Sequence, residues 1–370
     1  MSDSIVDIFA SATHGRGIRT KRDVKPGELL LRDKPFSYIL YHGGSISNNQ
    51  STTHCDHCLT EKGSKLLRCS GCKYARYCDK TCQRAAWPDH KDECHSITRA
   101  NASQDSPIFQ DQIRLMARTH WKRTKLVENA SIDANGFPNI PDLLVKHVDR
   151  WGQVRQRDFD KGFLQLAQFI MMGVRVEDMK DLFSILQANC VEISDAELHN
   201  IGYGLYLKTA FFNHACDFNC VATFNSTTLE VRATKEIKKG EECFISYIEL
   251  YNPTEDRHNE TNDLWYFTCS CAYCEDKDRD ARISALKCGN NDCPAAVPFH
   301  YMRTDPSYKV KCPSCNWSEK GKKLLDKTWP TVKKMRKNKR MIDNWRKNPE
   351  CDILYFLSKV AHEYARKTVT

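Results

Sequence analysis

Most of the nineteen cysteines in this 370-residue chain stand in pairs two to four residues apart. The first group joins seven cysteines and one histidine: Cys55, Cys58, Cys69, Cys72, Cys78, Cys82, His90 and Cys94. Eight soft ligands suffice for two tetrahedral zinc ions, because a pair separated by two or three residues can span one tetrahedral edge. Disulfides rarely persist in a reducing compartment, so this spacing predicts two structural zinc ions.

Two more cysteine groups follow later in the chain. Three thiols lie within six residues, at Cys269, Cys271 and Cys274, and leave one tetrahedral position open for Cys216. A further four have the spacing of a zinc ribbon: Cys288, Cys293, Cys312 and Cys315. The alternative for these four is a set of reduced structural cysteines. The sequence therefore predicts a third zinc ion and, in the ribbon, a fourth.

A second kind of chemistry is indicated around Asn213 and His214. An isolated Asn-His pair is most often a turn with a satisfied histidine. Here it is followed by Glu241-Glu242, by Ser246-Tyr247 and by the three closely spaced thiols. Four features in this order indicate a composite site and not a chance turn.

The elements that must position these residues are predicted from local patterns. Short strands are expected at Val6 to Phe9, Gly17 to Thr20 and Glu28 to Arg32, with mostly helical structure from 107 to about 190. Strands return between 190 and 250. The similar segments 21–28 and 235–241, each ending Gly-Glu, predict two β-hairpins of one design. An apolar patch is expected to be core; its members are Leu164, Phe169, Met171 and Met172. The fold class expected is α+β.

The first Cys/His group resembles a MYND zinc finger over its whole length. The interleaved pairing of that family implies one ion on Cys55, Cys58, Cys78 and Cys82. It implies the other on Cys69, Cys72, His90 and Cys94. MYND fingers generally bind short proline-containing peptides, and Gln83 and Trp87 match the residues that line the groove. The alternative is that Trp87 only packs the small core of the finger.

The later motifs resemble a SET domain with its post-SET zinc site, and the resemblance extends to His14, Gly15, Arg16 and Gly17. The inserted finger gives the order of the SET-and-MYND lysine methyltransferase family. The implied segments are 1–50 and 191–252 (SET), 51–96 (MYND finger), 105–190 (helical insert), 260–276 (post-SET zinc site), 285–318 (ribbon-like segment) and 322–370 (short helical C-terminal region).

The resemblance implies binding of S-adenosylmethionine. The contacts it implies are His14, Gly15, Arg16, Gly17, Asn189, Asn213, His214, Tyr247 and Phe267, with Phe267 stacking on adenine. Glycine lacks Cβ, so the backbone of the Gly-Arg-Gly turn can approach the cofactor closely.

The resemblance also implies catalytic residues. A substrate lysine must be neutral to attack, and desolvation beside a cation lowers its pKa from about 10.4. Tyr247 is the channel tyrosine that would orient the amine. The second tyrosine of the family is replaced: either Trp265 walls the channel, or a one-residue shift brings in Tyr266. The zinc ions are structural.

Other departures from the family are Ala215 and Phe218, where Ser and Pro are usual, and neither removes an expected cofactor contact. About 50 residues follow Cys315, fewer than the long helical-repeat domain of many members. A more open cleft is expected, with substrate selection relying on the finger.

Charge and hydropathy bear on partners and location. The net charge is +9, and a basic run extends from Lys333 to Arg340. We interpret this run as a solvated helix face, with a nuclear-import or nucleic-acid patch as the alternative. The apolar stretch Gly162 to Val174 is too short and polar to span a bilayer. We expect a protein of the nucleus and cytoplasm that methylates lysines of histones or other proteins. The alternatives are a MYND adaptor for proline-containing peptides and a zinc-dependent nucleic-acid binder.

Overall fold

The computed structural model describes residues 4–11, 14–41, 53–62, 65–102, 111–171, 173–196, 198–248, 250, 252–283, 285–298 and 308–324. The chain divides into two compact units. The first comprises Met1–Tyr247 and Glu260–Thr268, and the second comprises Ile248–Asn259 and Cys269–Thr370. The basic run from 333 to 340 lies outside the described residues, as does almost all of the predicted C-terminal region.

The first unit is built on short strands. They are β1 (Val6–Ser11), β2 (Gly15–Thr20), β3 (Leu29–Asp33), β4 (Ser37–Leu40), β5 (Leu67–Arg68), β6 (Arg76–Tyr77), β7 (Cys190–Ser194), β8 (Asn200–Leu205), β9 (Asn213–His214), β10 (Cys220–Asn225), β11 (Thr228–Ala233) and β12 (Phe244–Ile245). All three strands expected before residue 33 are present. The combination of these strands with helices confirms the α+β class.

The strands form small sheets and not one large one. Two three-stranded antiparallel sheets have the orders β10-β11-β3 and β4-β8-β7, and β1 pairs with β2. β9 and β12 run parallel, and β5 pairs with β6 in the finger. Burial alternates along β11, where Leu229, Val231 and Ala233 face the core. This two-residue period is what a sheet with one buried face requires.

The two predicted β-hairpins are wrong. β2 and β3 flank the segment 21–28 but pair with β1 and β11, not with each other. The two similar segments instead pair with one another. Val24 N donates to Ile237 O over 2.9 Å, and Ile237 N donates to Val24 O over 3.0 Å. Both side chains are fully buried, so tertiary packing selects this pairing over the local one.

Helices supply the remaining regular structure. They are α1 (Lys80–Ala102), α2 (Asp111–Thr124), α3 (Gln153–Ile170), α4 (Val176–Asn189), α5 (Thr254–Trp265), α6 (Ala272–Glu275) and α7 (Lys277–Ile283). Short 3-10 turns occur at Val127–Asn129, Pro141–Leu143, Val148–Arg150 and Thr209–Phe211. The predicted helical insert is therefore helical at its two ends, with loops and turns between α2 and α3. Within the described residues, no helix is long and apolar enough to cross a membrane.

The helix α4 shows why these segments are helical. Met179, Leu182, Phe183 and Leu186 are buried at the i, i+3, i+4, i+7 spacing of one helix face. Glu177 and Asp178 in the first turn complement the positive end of the helix dipole. The helix ends at Asn189 and leads directly into β7, so it fixes where the β4-β8-β7 sheet begins.

The predicted apolar patch is only partly core. Phe169 is buried as expected, but Leu164 and Met171 are 67% and 64% exposed. Leu164 lies on the outer face of α3, and Met171 ends that helix in a left-handed conformation. Met172 lies outside the described residues. A run of apolar residues did not distinguish the buried face of α3 from its outer face.

The second unit has a small core of its own around four cysteines. Two hairpins form it: β13 (Ala285–Lys287) with β14 (Ala296–Pro298), and β15 (Lys309–Lys311) with β16 (Ser318–Lys320). Val297 and Val310 are buried between them. A Cβ at Gly289 would overlap the ring of Trp317, so the backbone approaches that ring closely. This is the ribbon-like unit that the cysteine spacing predicted.

Candidate functional site

Asn213 lies at the centre of the candidate site. Its Nδ2 donates to Arg16 O over 2.6 Å and to Glu242 Oε1 over 2.7 Å. The bonds join β9 to the Gly-Arg-Gly turn at the start of β2. A Cβ on Gly17 would overlap Glu242 Oε1 and lie 2.9 Å from Asn213 Nδ2. Gly17 therefore makes room for side chains of this protein, whereas the sequence analysis assigned that space to a cofactor.

Glu242 is a further residue of this site, beyond the contacts that the sequence predicted. Its Oε2 accepts a hydrogen bond from Ser11 Oγ at 3.4 Å and lies 3.5 Å from His14 Nδ1. Glu242 thus joins the first hairpin to Asn213, and its side chain is only 13% exposed. The sequence signal that could have identified Glu242 is the acidic pair Glu241-Glu242, which stands just before β12, the strand that leads to Tyr247.

His214 connects the buried core to Tyr247. Tyr247 N donates to His214 Nδ1 over 3.0 Å, so in the neutral ring the proton is on Nε2. That Nε2 lies 3.4 Å from the Sγ of Cys216, which can accept its hydrogen bond. His214 is 5% exposed. The histidine therefore fixes both the backbone of Tyr247 and the thiol of Cys216.

Aromatic rings gather around Tyr247. Its hydroxyl donates to Phe212 O over 2.5 Å, and its ring centroid lies 5.1 Å from that of Trp265. The ring of Phe267 lies 6.0 Å from that of His214. Trp265 Nε1 donates to Ala188 O over 3.0 Å at the end of α4, which fixes the indole. The result is an aromatic wall of Tyr247, Trp265 and Phe267.

Tyr266 lies apart from Tyr247 because of how α5 ends. Its φ of 61° is left-handed, and its N–H closes the helix on Asn262 O over 3.0 Å. This change of direction leaves Trp265 beside Tyr247 and places the ring of Tyr266 5.2 Å from His147. Of the two alternatives left open by the sequence, the contacts favour Trp265 as the neighbour of Tyr247.

Arg16 brings a charge close to the same wall. Its Cζ lies 3.9 Å from the ring centroid of Phe211, and its Nη1 donates to Leu143 O over 3.1 Å. Burial lowers the pKa of Arg16. Burial also raises the pKa of Tyr247, and the nearby Arg16 charge only partly opposes this. Tyr247 therefore keeps its proton at neutral pH and acts as a hydrogen-bond donor.

Asn189 has mainly structural contacts. Its Nδ2 donates to Val145 O over 2.8 Å and to Ile185 O over 2.7 Å, and the residue is 7% exposed. Both amide protons are used inside the protein. A cofactor contact from this side chain would have to be accepted by Oδ1.

The finger gathers its ligands in the two sets that the resemblance implied. In each set the four ligand atoms lie within 4.8 Å of one another. Cys58 Sγ and Cys78 Sγ are 3.6 Å apart, and Cys69 Sγ and Cys94 Sγ are 3.8 Å apart. A Zn–S bond of about 2.3 Å gives a tetrahedral edge of about 3.8 Å, far longer than a disulfide bond. The donor set therefore fits two zinc ions.

A buried carboxylate supports the second of these sites. His90 directs Nε2 at Cys72 Sγ, 3.5 Å away, and Nδ1 at Glu93 Oε2, 2.8 Å away. Glu93 is fully buried and accepts from Arg114 Nε at 2.9 Å and from Arg118 Nη2 at 2.5 Å. Both arginines belong to α2. The zinc site is therefore tied through Glu93 to the helical insert.

The second unit also gathers thiols. Cys288 lies 3.6 Å from Cys315 and Cys293 lies 3.7 Å from Cys312, measured between Sγ atoms. These are again zinc-ligand distances. The Sγ atoms of Cys269, Cys271 and Cys274 lie within 4.8 Å of one another. That Cys216 completes this set remains a prediction.

Comparison with known proteins identifies the family. The model of the SET domain matches residues 15–248, which include the Gly-Arg-Gly turn, Asn213 and Tyr247. The chain belongs to the SET-domain family. Among curated SET-domain proteins, it is 32% identical over 289 residues to the histone-lysine N-methyltransferase SMYD3 of Homo sapiens, covering 75% of this chain and 63% of that protein. It is 33% identical over 302 residues to the N-lysine methyltransferase SMYD2 of Homo sapiens, covering 80% and 65%.

These similarities and the two-ion finger make the chain a SET-and-MYND protein, as its sequence predicted. The chain spans 63% and 65% of the length of these two human relatives. One solved structure is also similar in fold to part of this chain. The structure of Rubisco LSMT bound to AdoMet matches with a TM-score of 0.39 and 12% identity, covering 69% of this chain and 50% of that one.

Proposed function

We propose that this protein is an S-adenosylmethionine-dependent protein-lysine N-methyltransferase. The observation that carries the proposal is the position of Tyr247. Its backbone N–H donates a hydrogen bond to His214, its hydroxyl donates one to Phe212 O, and its ring packs against Trp265. This arrangement places a protonated hydroxyl in an aromatic wall beside the Asn213 site.

The residues around Asn213 fit the proposed cofactor. Arg16 Nη2 is a buried donor with no hydrogen-bond partner within the described part of the chain. It is suited to an acceptor such as the carboxylate of the cofactor. Phe267 offers an aromatic face for a base, and its side chain is half-buried. His14 is exposed beside Phe244 and Glu242, where its ring can close over a ligand.

The bound cofactor would supply an activated methyl group on a sulfonium. The chain's own residues would desolvate and orient the substrate amine. The aromatic wall excludes water from the substrate amine, which lowers the pKa of that amine toward the neutral, nucleophilic form. The hydroxyl of Tyr247 and the carbonyl of Phe212 orient the amine, a proximity effect. Trp265 is bulkier than a tyrosine at this place and limits the width of the channel.

The proposed substrates are lysines of histones or of other proteins. The names of the human relatives support this class, since one is called a histone-lysine and the other an N-lysine methyltransferase. We propose the nucleus and cytoplasm as the location, where such substrates occur. Zinc would have a structural role only, because the ligand sets of the finger and the ribbon are four-coordinate and closed.

Calorimetric titration with S-adenosylmethionine tests cofactor binding without a known substrate. We expect micromolar binding to the zinc-replete wild type and none to Asn213→Ala. Asn200→Ala is the matched control, because Asn200 is exposed at the start of β8 and its side-chain amide donates to Glu192, which is not a residue of the proposed site. A folded wild type that binds no cofactor would exclude the methyltransferase function.

Radiolabelled methyl transfer to a panel of histones and other proteins then tests turnover. Incorporation into lysine that is lost in Asn213→Ala supports the proposal. Cofactor binding without incorporation into any protein would favour a second function, that of an adaptor.

The exposure of Trp87 favours that adaptor function as an additional one. Trp87 is 39% exposed on α1, and its ring centroid lies 6.5 Å from that of His95. Gln83 is held by a hydrogen bond from its Nε2 to Sγ of the proposed zinc ligand Cys69 over 3.7 Å. An exposed indole beside a fixed polar side chain suits a proline-containing peptide. Titration of such a peptide against wild type and Trp87→Ala tests it, and equal affinity would reject it.

A further inference from the structure

A cleft of about 890 Å³ lies in the first unit, and neither Tyr247 nor Asn213 belongs to its lining. It is formed by β3, α2, β11 and the residues just before the Thr209–Phe211 turn, and its lining includes Arg32, Lys34, Phe36, Lys122, Leu207 and Lys208. We call it the basic cleft. We propose that the basic cleft binds an acidic, partly apolar peptide segment of a protein partner. The proposal uses none of the residues assigned to methyl transfer, so it stands apart from that function.

The cations of the basic cleft are available to a ligand. Arg32 pairs with Glu230 at 2.8 Å, Lys122 with Asp89 at 3.3 Å and Lys208 with Asp133 at 3.3 Å. The side chains of the two lysine pairs are 32% to 45% exposed, and exposed ion pairs contribute little free energy, whereas Glu230 in the Arg32 pair is only 13% exposed. A ligand carboxylate can therefore replace the partner of Lys122 or Lys208 at small cost. Lys34 is exposed and has no ion-pair partner within the described residues.

The acidic residues of the lining do not cancel this charge. Asp33 is buried, and its Oδ2 accepts from Lys208 N at 2.9 Å, from Thr209 N at 2.8 Å and from Thr209 Oγ1 at 3.1 Å. Its carboxylate is directed into the protein. Glu230 lies between two guanidinium groups, those of Arg32 and Arg232. The four cationic side chains of the lining therefore outnumber its two carboxylates.

A narrower crevice of about 170 Å³ adjoins the cleft and shares Lys34 and Lys122 with it. Tyr77 and Arg118 line the crevice and are 1% and 7% exposed. Tyr77 Oη and Arg118 Nε are buried and have no hydrogen-bond partner among the described residues. Both groups are donors, and a buried donor without an acceptor is costly. An acceptor oxygen of a bound peptide would satisfy these donors, beside the carboxylates of Asp56 and Asp89 that also line the crevice.

The apolar floor favours a peptide as the occupant. Phe36, Leu126, Pro138 and Leu207 line the cleft, and they suit aliphatic side chains between acidic ones. A single-stranded nucleic acid would need an aromatic face for stacking, and Phe36 is only 7% exposed. An acidic peptide with interspersed leucines matches both the charge and the floor.

Fluorescence anisotropy tests the proposal on the full, zinc-replete chain. The probe is a short fluorescein-labelled peptide of repeated Glu-Glu-Leu units, compared with Gln-Gln-Leu repeats and with a labelled DNA duplex. We expect salt-sensitive binding of the acidic peptide. Lys34→Glu with Lys122→Glu should weaken it by about tenfold or more, because attraction becomes repulsion. Lys161→Glu on the exposed face of α3 is the matched control and should change little.

Tyr77→Phe separates binding from folding. It removes a hydroxyl without a partner, so the melting temperature should not fall, whereas peptide affinity should fall severalfold. Equal affinity of wild type and the Lys34/Lys122 double variant would overturn the proposal. It would also be overturned if only the DNA duplex bound and lost affinity in that variant, since the cleft would then be a nucleic-acid site.

Discussion

His90 donates its Nδ1–H to Glu93 over 2.8 Å, and both side chains are almost fully buried. His90 faces a zinc site with its other nitrogen, and Glu93 faces two arginines of α2. Burial alone would raise the pKa of Glu93, but the charges of Arg114 and Arg118 outweigh it and hold the pKa well below its usual range. The finger is therefore joined to the helical insert by a buried ionic network.

Glu93→Gln should destabilise the protein and its second finger zinc site together. The substitution leaves two buried guanidinium groups without a full counter-charge, which costs about 3–5 kcal/mol when a buried pair is broken. We expect a lower melting temperature and faster zinc release to a chelator, measured by differential scanning fluorimetry and by metal analysis.

Asp92→Asn is the control for this change. Asp92 is on the same helix and pairs with Lys125 at 2.9 Å, but the side chains of Asp92 and Lys125 are 33% and 60% exposed. An exposed pair contributes about 0–1 kcal/mol, so stability and zinc release should hardly change. If Glu93→Gln behaved like Asp92→Asn, the buried network would not couple the finger to α2.

Gly17→Ala should abolish cofactor binding. The new Cβ would collide with Glu242 and crowd Asn213, so the two side chains would have to separate. Overpacking of this kind costs about 1–3 kcal/mol. Calorimetry with S-adenosylmethionine measures the effect. Gly152→Ala is the matched control, since a Cβ there meets no atom within 4 Å. Unchanged binding in Gly17→Ala would show that the Asn213–Glu242 contact is dispensable.

Tyr247→Phe should retain cofactor affinity but lower turnover by about 100-fold, because an amine that is no longer oriented reacts from the wrong position. Steady-state methyl transfer and calorimetry together measure this. Tyr203→Phe is the control, since the Tyr203 hydroxyl donates to Glu192 over 3.0 Å and its ring packs against Tyr41, and neither partner belongs to the proposed site. Equal turnover in Tyr247→Phe would remove this hydroxyl from the mechanism.

The pH profile of the wild type provides a second check on Tyr247. An ordinary tyrosine loses its proton near pH 10. Burial raises the pKa of Tyr247, so the protonated form persists to higher pH. We therefore expect no loss of turnover from phenolate formation below about pH 10. A descending limb that Tyr247→Phe abolished in that range would contradict the raised pKa.

Cys216→Ser should lower the zinc content of the chain by one equivalent. The sequence predicts that this thiol completes the set of Cys269, Cys271 and Cys274, and a serine hydroxyl is a much weaker zinc ligand. Metal analysis of the purified variant measures the number of zinc ions per chain. Cys190→Ser is the control, because Cys190 belongs to none of the predicted zinc sets. An unchanged zinc count would exclude Cys216 as a ligand.

The sequence by itself determined the metal sites, the order of the motifs and the family. Cysteine spacing is a local property, so the candidate ligands of the finger and the ribbon could be named from it, whereas the resemblance to MYND fingers implied how the finger's ligands divide between two ions. The Asn213–His214 segment and Tyr247 were singled out by the order of the motifs along the chain, and the resemblance to a SET domain implied their roles. Each carries its chemistry in residue type and position along the chain.

Only the tertiary structure decided which distant residues meet. The segments 21–28 and 235–241 read as separate hairpins, yet Val24 pairs with Ile237 because both are buried in one core. Glu242 became a site residue only through Asn213, which is 29 positions away. The left-handed end of α5 placed Trp265, and not Tyr266, beside Tyr247. These contacts depend on packing between segments far apart in sequence, and local residue patterns do not encode that packing.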